Sequence, residues 1–152
     1  MCILSFVADV IAKRYMQWKE VERKFSEENW NPIRIYVDKD GQEMIEVHKF
    51  NPLKKEEQNF LILDELKKQH VDFTLESNAK LNSYTFKVYN KEKSIIHEQT
   101  HKDIMTVICL GAMALAGINI SDELICALDI EANNKMNKNK THNLFLHNSN
   151  NS

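Results

Sequence analysis

His97-Glu98-Gln99-Thr100-His101 reproduces the spacing H-E-x-x-H. In that pattern two imidazoles one helical turn apart hold a zinc ion, and the carboxylate between them takes a proton from bound water. The chemistry needs one continuous helix, because only there does i, i+4 spacing bring both rings to one side at ligand distance. Ser94-Ile95-Ile96 reads instead as a strand leading in, and Thr100 with Asp103 three residues on reads as the capped start of a helix. A strand-to-helix junction points the two histidines apart, so the reading is no resident metal, no catalytic residue and no cofactor. The competing reading is a small zinc-dependent hydrolase with His97 and His101 as ligands and Glu98 as base. Glu123 could be imagined as a third ligand, but Asp122-Glu123 also suits the N-terminal end of a helix dipole.

A second group of chemistry-bearing residues surrounds residues 33–48. Trp18, Trp30 and Tyr36 with Arg34 and Lys39 combine rings and cations in the manner of a surface that stacks on a base or grips a partner protein. The same rings would equally well cover one end of a sheet. Other enzymatic signatures are missing: three glycines cannot build a phosphate-cradling loop, and neither G-x-S-x-G nor C-x-x-C occurs. Cys109 lies in an apolar run, where burial makes a thiol inert.

Elements must position these residues, and composition bounds what the elements can build. At 152 residues and 43% hydrophobic the chain supports one core. The expectation is a single domain over residues 1–132. Beyond it a tail, 133–152, is too rich in Asn, Lys, His and Ser to order itself, with Leu144-Phe145-Leu146 its only apolar island. A net charge of −2 gives no general attraction for nucleic acid. Three widely spaced cysteines in apolar runs suit buried thiols in a reducing, cytoplasmic setting. The apolar start lacks a basic leader and is interrupted by Asp9, and Ile104–Ile120 is short for a membrane span and rich in small residues, so no membrane partner is expected.

The chain opens with an amphipathic helix that ends near Met16 or continues to about Phe25. Alternating Ile33–Asp38 and Glu43–His48 form a hairpin about Asp40-Gly41. Asn51-Pro52 opens a helix to about Lys68. Val71–Glu76, Ser83–Tyr89 and Ser94–Glu98 form a meander, and a nearly all-apolar helix from Thr100 to Ala116 stops at Gly117. Such a helix needs cover on more than one side, from another helix or from a partner chain, which makes a homo-oligomer an expectation. Ser121 caps a last short helix.

Three segments carry a resemblance. Ile11-Ala12-Lys13-Arg14-Tyr15-Met16-Gln17-Trp18, Phe50-Asn51-Pro52-Leu53, and Thr100 followed by Val107-Ile108-Cys109-Leu110 and Ala112 are similar, in order and spacing, to segments of the phage ABA-sandwich proteins, small proteins encoded by bacteriophages and prophages. Gln17 stands where that family has glycine, and the proline that usually precedes its last helix is missing. The resemblance implies an α+β fold in which an antiparallel sheet of about five strands carries helices on both faces. It also implies a phage or prophage origin, in the cytoplasm of a bacterial host. On this basis a non-enzymatic accessory protein is expected, acting against host defence by sequestering a nucleotide signal or by occupying a host protein. A structural or regulatory interaction module is the third alternative.

Overall fold

The computed structural model of the protein describes residues 2–24 and 31–131. Trp30 and the tail at 133–152 lie outside them. The chain divides into two compact units, Met1–Asn119 and Ile120–Ser152.

In the first unit, helix α1 (Ile3–Val10) runs directly into a wider turn at Ile11–Tyr15. There the Met16 amide donates to the Ile11 carbonyl five residues back, at 2.8 Å. The helix stops in a left-handed residue, Gln17 (φ 60), after which Trp18 N–H reaches back to Ala12 O at 2.9 Å. The helix therefore ends near Met16, and the alternating Lys19-Glu20-Val21 that follows belongs to strand β1 (Lys19–Arg23).

β1 pairs antiparallel with β2 (Ile33–Val37), and β2 with β3 (Glu43–Glu46). The hairpin between the last two turns where expected: Gly41 takes φ 80, and the Asp38 carboxylate accepts from the Asp40 and Gln42 amides at 2.9 Å each. α2 spans Glu56–Lys68, one turn later than Asn51-Pro52 predicts. Asn51 does not cap it; its carbonyl accepts from Lys54 and Lys55 in a preceding turn, while Gln58 reaches back to the Asn51 amide and the Lys49 carbonyl. The meander of β4 (Phe73–Asn78), β5 (Ser83–Tyr89) and β6 (Ile95–His101) follows.

Thr100 is not a helix cap. β6 continues through the whole of His97–His101, and α3 (Ile104–Leu115) begins only after Asp103, whose carboxylate accepts from the Thr106 amide at 2.9 Å and the Thr106 hydroxyl at 2.7 Å. The strand wins because β6 has a full partner in β5, down to Tyr84 opposite His101 and a Thr85–Thr100 hydroxyl contact at 2.9 Å. α3 ends as its sequence predicts, with Gly117 at φ 88 and Ile118 N–H on Met113 O.

The fold class is α+β, but the expected single sheet of about five strands is instead two three-stranded antiparallel sheets, β1-β2-β3 and β4-β5-β6. β1 adds a strand beside the hairpin, and α2 intervenes between the two sets. The layering differs as well. α3 lies against β5 and β6 on one side and against α2, α1 and the wide turn on others. Val107, Ile108, Cys109, Leu110, Ala112 and Met113 are all completely buried. Against it, Gly111 admits the Phe86 ring so closely that a Cβ there would stand 2.4 Å from a ring carbon. On the opposite face of the second sheet Thr74, Glu76, Glu98 and Thr100 are exposed, with Lys87 between Glu76 (3.6 Å) and Glu98 (4.0 Å). Polar cross-strand ladders of this kind belong on a solvated face.

Of the second unit, α4 is helical over residues 122–131, and Ser121 Oγ accepts from the Leu124 amide at 3.1 Å as its cap. None of the described helices is long and apolar enough to cross a membrane.

Candidate functional site

A helix and a strand put their polar groups on a shared surface by simple periodicity. Asp9 and Lys13 are one turn apart on α1 and its wide extension, so both project from one side. Arg34 and Tyr36 are two apart on β2, hence on one face, and the ladder sets Glu20 of β1 directly opposite Tyr36. Where these two surfaces meet, five side chains join in series. Tyr36 OH donates to Asp9 Oδ1 at 3.0 Å; Lys13 Nζ lies 3.0 Å from Asp9 and 2.9 Å from Glu20; and Glu20 also pairs with Arg34.

Along one side of this series runs an open cavity of about 740 Å³. Its lining adds apolar Leu4, Ala8, Pro32, Ile33, Val47 and Phe50, the amides Asn31 and Asn51, and Cys2, Ser5 and His48. A volume of this order holds a small organic ligand. Among the lining groups Asn51 Oδ1 is an acceptor without a hydrogen-bond partner.

The charges are not equally accessible. Glu20 has only 13% of its side chain exposed, against 42% for Lys13 and 61% for Arg34. A nearly buried carboxylate therefore tethers two accessible cations. Hydrogen bonds that Lys13 donates, first to Glu20 and then to Asp9, raise its pKa above the ordinary lysine value and keep it charged. Burial, and after it the hydrogen bond to Asp9, raises the Tyr36 phenol well above its usual range, so Tyr36 is a neutral donor. Lys13 has three N–H donors and Arg34 five, and the carboxylates do not use them all.

Of the residues singled out by type, Arg34 and Tyr36 line the cavity. Trp18 does not. It is buried in a ring cluster, 6.0 Å from Tyr36 and 5.3 Å from Phe50 between centroids, and supports the floor from behind. Lys39 is exposed in the β2–β3 turn and does not line the cavity, and Trp30 lies outside the described residues. Asp9, Lys13 and Glu20 were missed. Two signals pointed to them: an acid in an otherwise apolar helix, and its i, i+4 spacing to a lysine.

The H-E-x-x-H segment sits elsewhere. On β6 His97, Gln99 and His101 alternate toward α3, while Glu98 and Thr100 face outward. His97 and His101 share a face but stand about 13 Å apart along the strand, four residues at roughly 3.3 Å each. Zinc–nitrogen bonds of about 2 Å cannot span that distance, and Glu98 points away from both. Among the described residues no three His, Cys, Asp or Glu side chains converge as metal ligands. His97 packs by Gly111 and the Phe86 ring, with its Nε2 buried and unpartnered, and burial lowers its pKa.

The remaining buried polar cluster is structural. Asn59 Nδ2 lies 2.9 Å from Pro52 O, 3.0 Å from Met105 O and 3.4 Å from Cys109 Sγ, tying α2 to the start of α3. Burial raises the Cys109 thiol far above its ordinary range, which leaves it protonated and unreactive. Comparison of the chain with models of protein families, with curated proteins and with solved structures finds no match.

Proposed function

We propose that the protein is a non-enzymatic binding protein that captures a small nucleotide in the cavity between α1 and the first sheet. The observation that carries this reading is the cavity's division of labour. Two accessible cations held on a nearly buried carboxylate share the lining with apolar Leu4, Ala8, Pro32, Ile33 and Val47 and with side-chain amides. A nucleotide has the matching parts: an anionic phosphate, a flat body with two apolar faces, and a base edge of donors and acceptors that Asn amides pair with. The cavity's tyrosine is held neutral and its carboxylates are engaged by cations, which suits these groups to holding a ligand; Cys2 and Ser5, which also line it, contact each other at 3.3 Å.

The setting we propose is a phage or prophage accessory protein that sequesters a nucleotide signal. It rests on the resemblance of three segments to the phage ABA-sandwich proteins. Two of them meet in the floor of this cavity, where Trp18 closes one, Phe50 opens another, and the rings pack together. Occupancy of a host protein is the competing mode, and a homo-oligomer is the competing assembly.

A thermal-shift screen with nucleosides, mononucleotides and cyclic nucleotides tests the reading. A ligand at a hundred times its Kd adds about 2.7 kcal/mol, which raises the unfolding temperature of a chain this size by roughly 5–10 °C. A shift for a nucleotide and none for the matching nucleoside is the expected result. No shift with any of them removes nucleotide capture and leaves a macromolecular partner.

A further inference from the structure

The ion series contains a carboxylate that a simple anion site would not include. A cavity built only to hold phosphate would leave its cations uncompensated, yet Glu20 sits between Lys13 and Arg34 and neutralises both in part. It is also the least exposed charged member of the series, fixed by the β1–β2 ladder opposite Tyr36, so it cannot swing away as a surface acid would. With Asp9 on the other side of Lys13, the four charged groups of the series sum to zero.

We infer that Glu20 is an internal counter-anion that sets the charge of the ligand, so that the cavity takes a nucleoside monophosphate and discriminates against the di- and triphosphates. The inference rests on the nucleotide reading above and goes beyond it by naming the phosphorylation state and the residue that selects it.

One phosphate group can complete the free N–H positions of Lys13 and Arg34 from the side opposite Glu20, and the three groups then alternate in sign. Each further phosphate brings negative charge that finds no unclaimed cation in the series and approaches Asp9 and Glu20 instead. Like-charge repulsion at such distances is large enough to decide between ligands that share every other contact. Glu20 acts in two opposing ways. It holds the two cations in position, which favours binding, and it subtracts from their field, which limits how much anion they accept. Loss of the first lowers affinity for every nucleotide alike, whereas loss of the second changes only the ratio between them. The ratio is therefore the readout that belongs to charge selection and not to structural support.

Isothermal titration of the full chain with adenosine, AMP, ADP, ATP and inorganic phosphate, on the wild type, Glu20→Gln and Arg34→Gln, tests this. The wild type is expected to bind AMP more tightly than ADP or ATP. Glu20→Gln, nearly the same shape without the charge, is expected to shift the ADP-to-AMP affinity ratio toward ADP by about tenfold. Arg34→Gln, at a mostly exposed side chain, keeps the fold and is expected to weaken AMP about tenfold while leaving adenosine unchanged. An unchanged ratio in Glu20→Gln, or wild-type protein that binds ATP as tightly as AMP, overturns the role of Glu20 while nucleotide capture stands. A dissociation of AMP affinity from Arg34 overturns it as well. Binding of inorganic phosphate as tight as AMP shows an oxyanion site with no use for the nucleoside, and absence of binding by every probe removes the nucleotide reading together with this one.

Discussion

At His97 a single imidazole is packed against a ring and a glycine with one nitrogen buried and unpaired. Burial disfavours its charged form, so its pKa in the folded protein lies below the ordinary value of 6.5. In the unfolded chain the same group protonates near that ordinary value. The unfolded state therefore binds the proton first, and the stability His97 contributes is whole above the ordinary pKa and lost as pH falls through the lowered one. Denaturant unfolding between about pH 7 and pH 5 should show a steeper loss for the wild type than for His97→Phe. Equal slopes would mean that His97 is hydrated in solution. The five letters around it were legible as a motif, but their meaning depended on whether the backbone coils or extends, which short-range sequence decides poorly. Thr100 reads in sequence as the cap with Asp103 as its partner; pairing with β5, a contact fifteen residues away, holds Thr100 in the strand and leaves Asp103 to cap.

At the scale of elements, α3 and β5 meet by way of Gly111, a residue that sequence alone marks only as helix-compatible and small. Alanine there improves helix propensity by about 1 kcal/mol, yet its methyl group would overlap the fully buried Phe86 ring. Overpacking of a rigid core costs about 1–3 kcal/mol and outweighs that gain. Gly111→Ala should therefore unfold at lower denaturant concentration, and the same change in a Phe86→Leu background should cost less. Additive effects in that double-mutant cycle would show that the two positions do not touch. The hairpin, the meander and the Gly117 stop were readable because each is written in neighbouring residues: Asp40-Gly41, Asn78, Asn90 and Gly117 itself. The first strand was legible only as one of two readings, because Trp18–Val21 alternates but also continues the helical stripe, and pairing with β2 decides between them.

For the molecule as a whole, the apolarity of α3 raised the question of what covers it, and α1, α2 and the second sheet all pack against it in the same chain. Burial of α3 should then not depend on association. The unfolding temperature is expected to stay constant over a roughly hundredfold range of protein concentration. A rise with concentration would show that a second chain contributes to the core. The cavity belongs to this scale too. Its five-membered series draws on α1, β1 and β2, so residue types predicted only the part carried by one hairpin, Arg34 and Tyr36. Ion pairs with accessible members add little to stability, roughly 0–1 kcal/mol each, and the series is better understood as a means of holding cations still.

The order β4-β5-β6 leaves β6 at the rim of its sheet, with its first residues, Ile95 and Ile96, about half exposed. An unprotected rim of that kind invites the same rim of another molecule to zip onto it. Glu98, however, occupies the midpoint of Ile95–His101, so two such strands laid head to tail about their centres would bring one carboxylate against its twin. The glutamate that first looked like a proton acceptor thereby keeps one molecule's sheet from growing into the next.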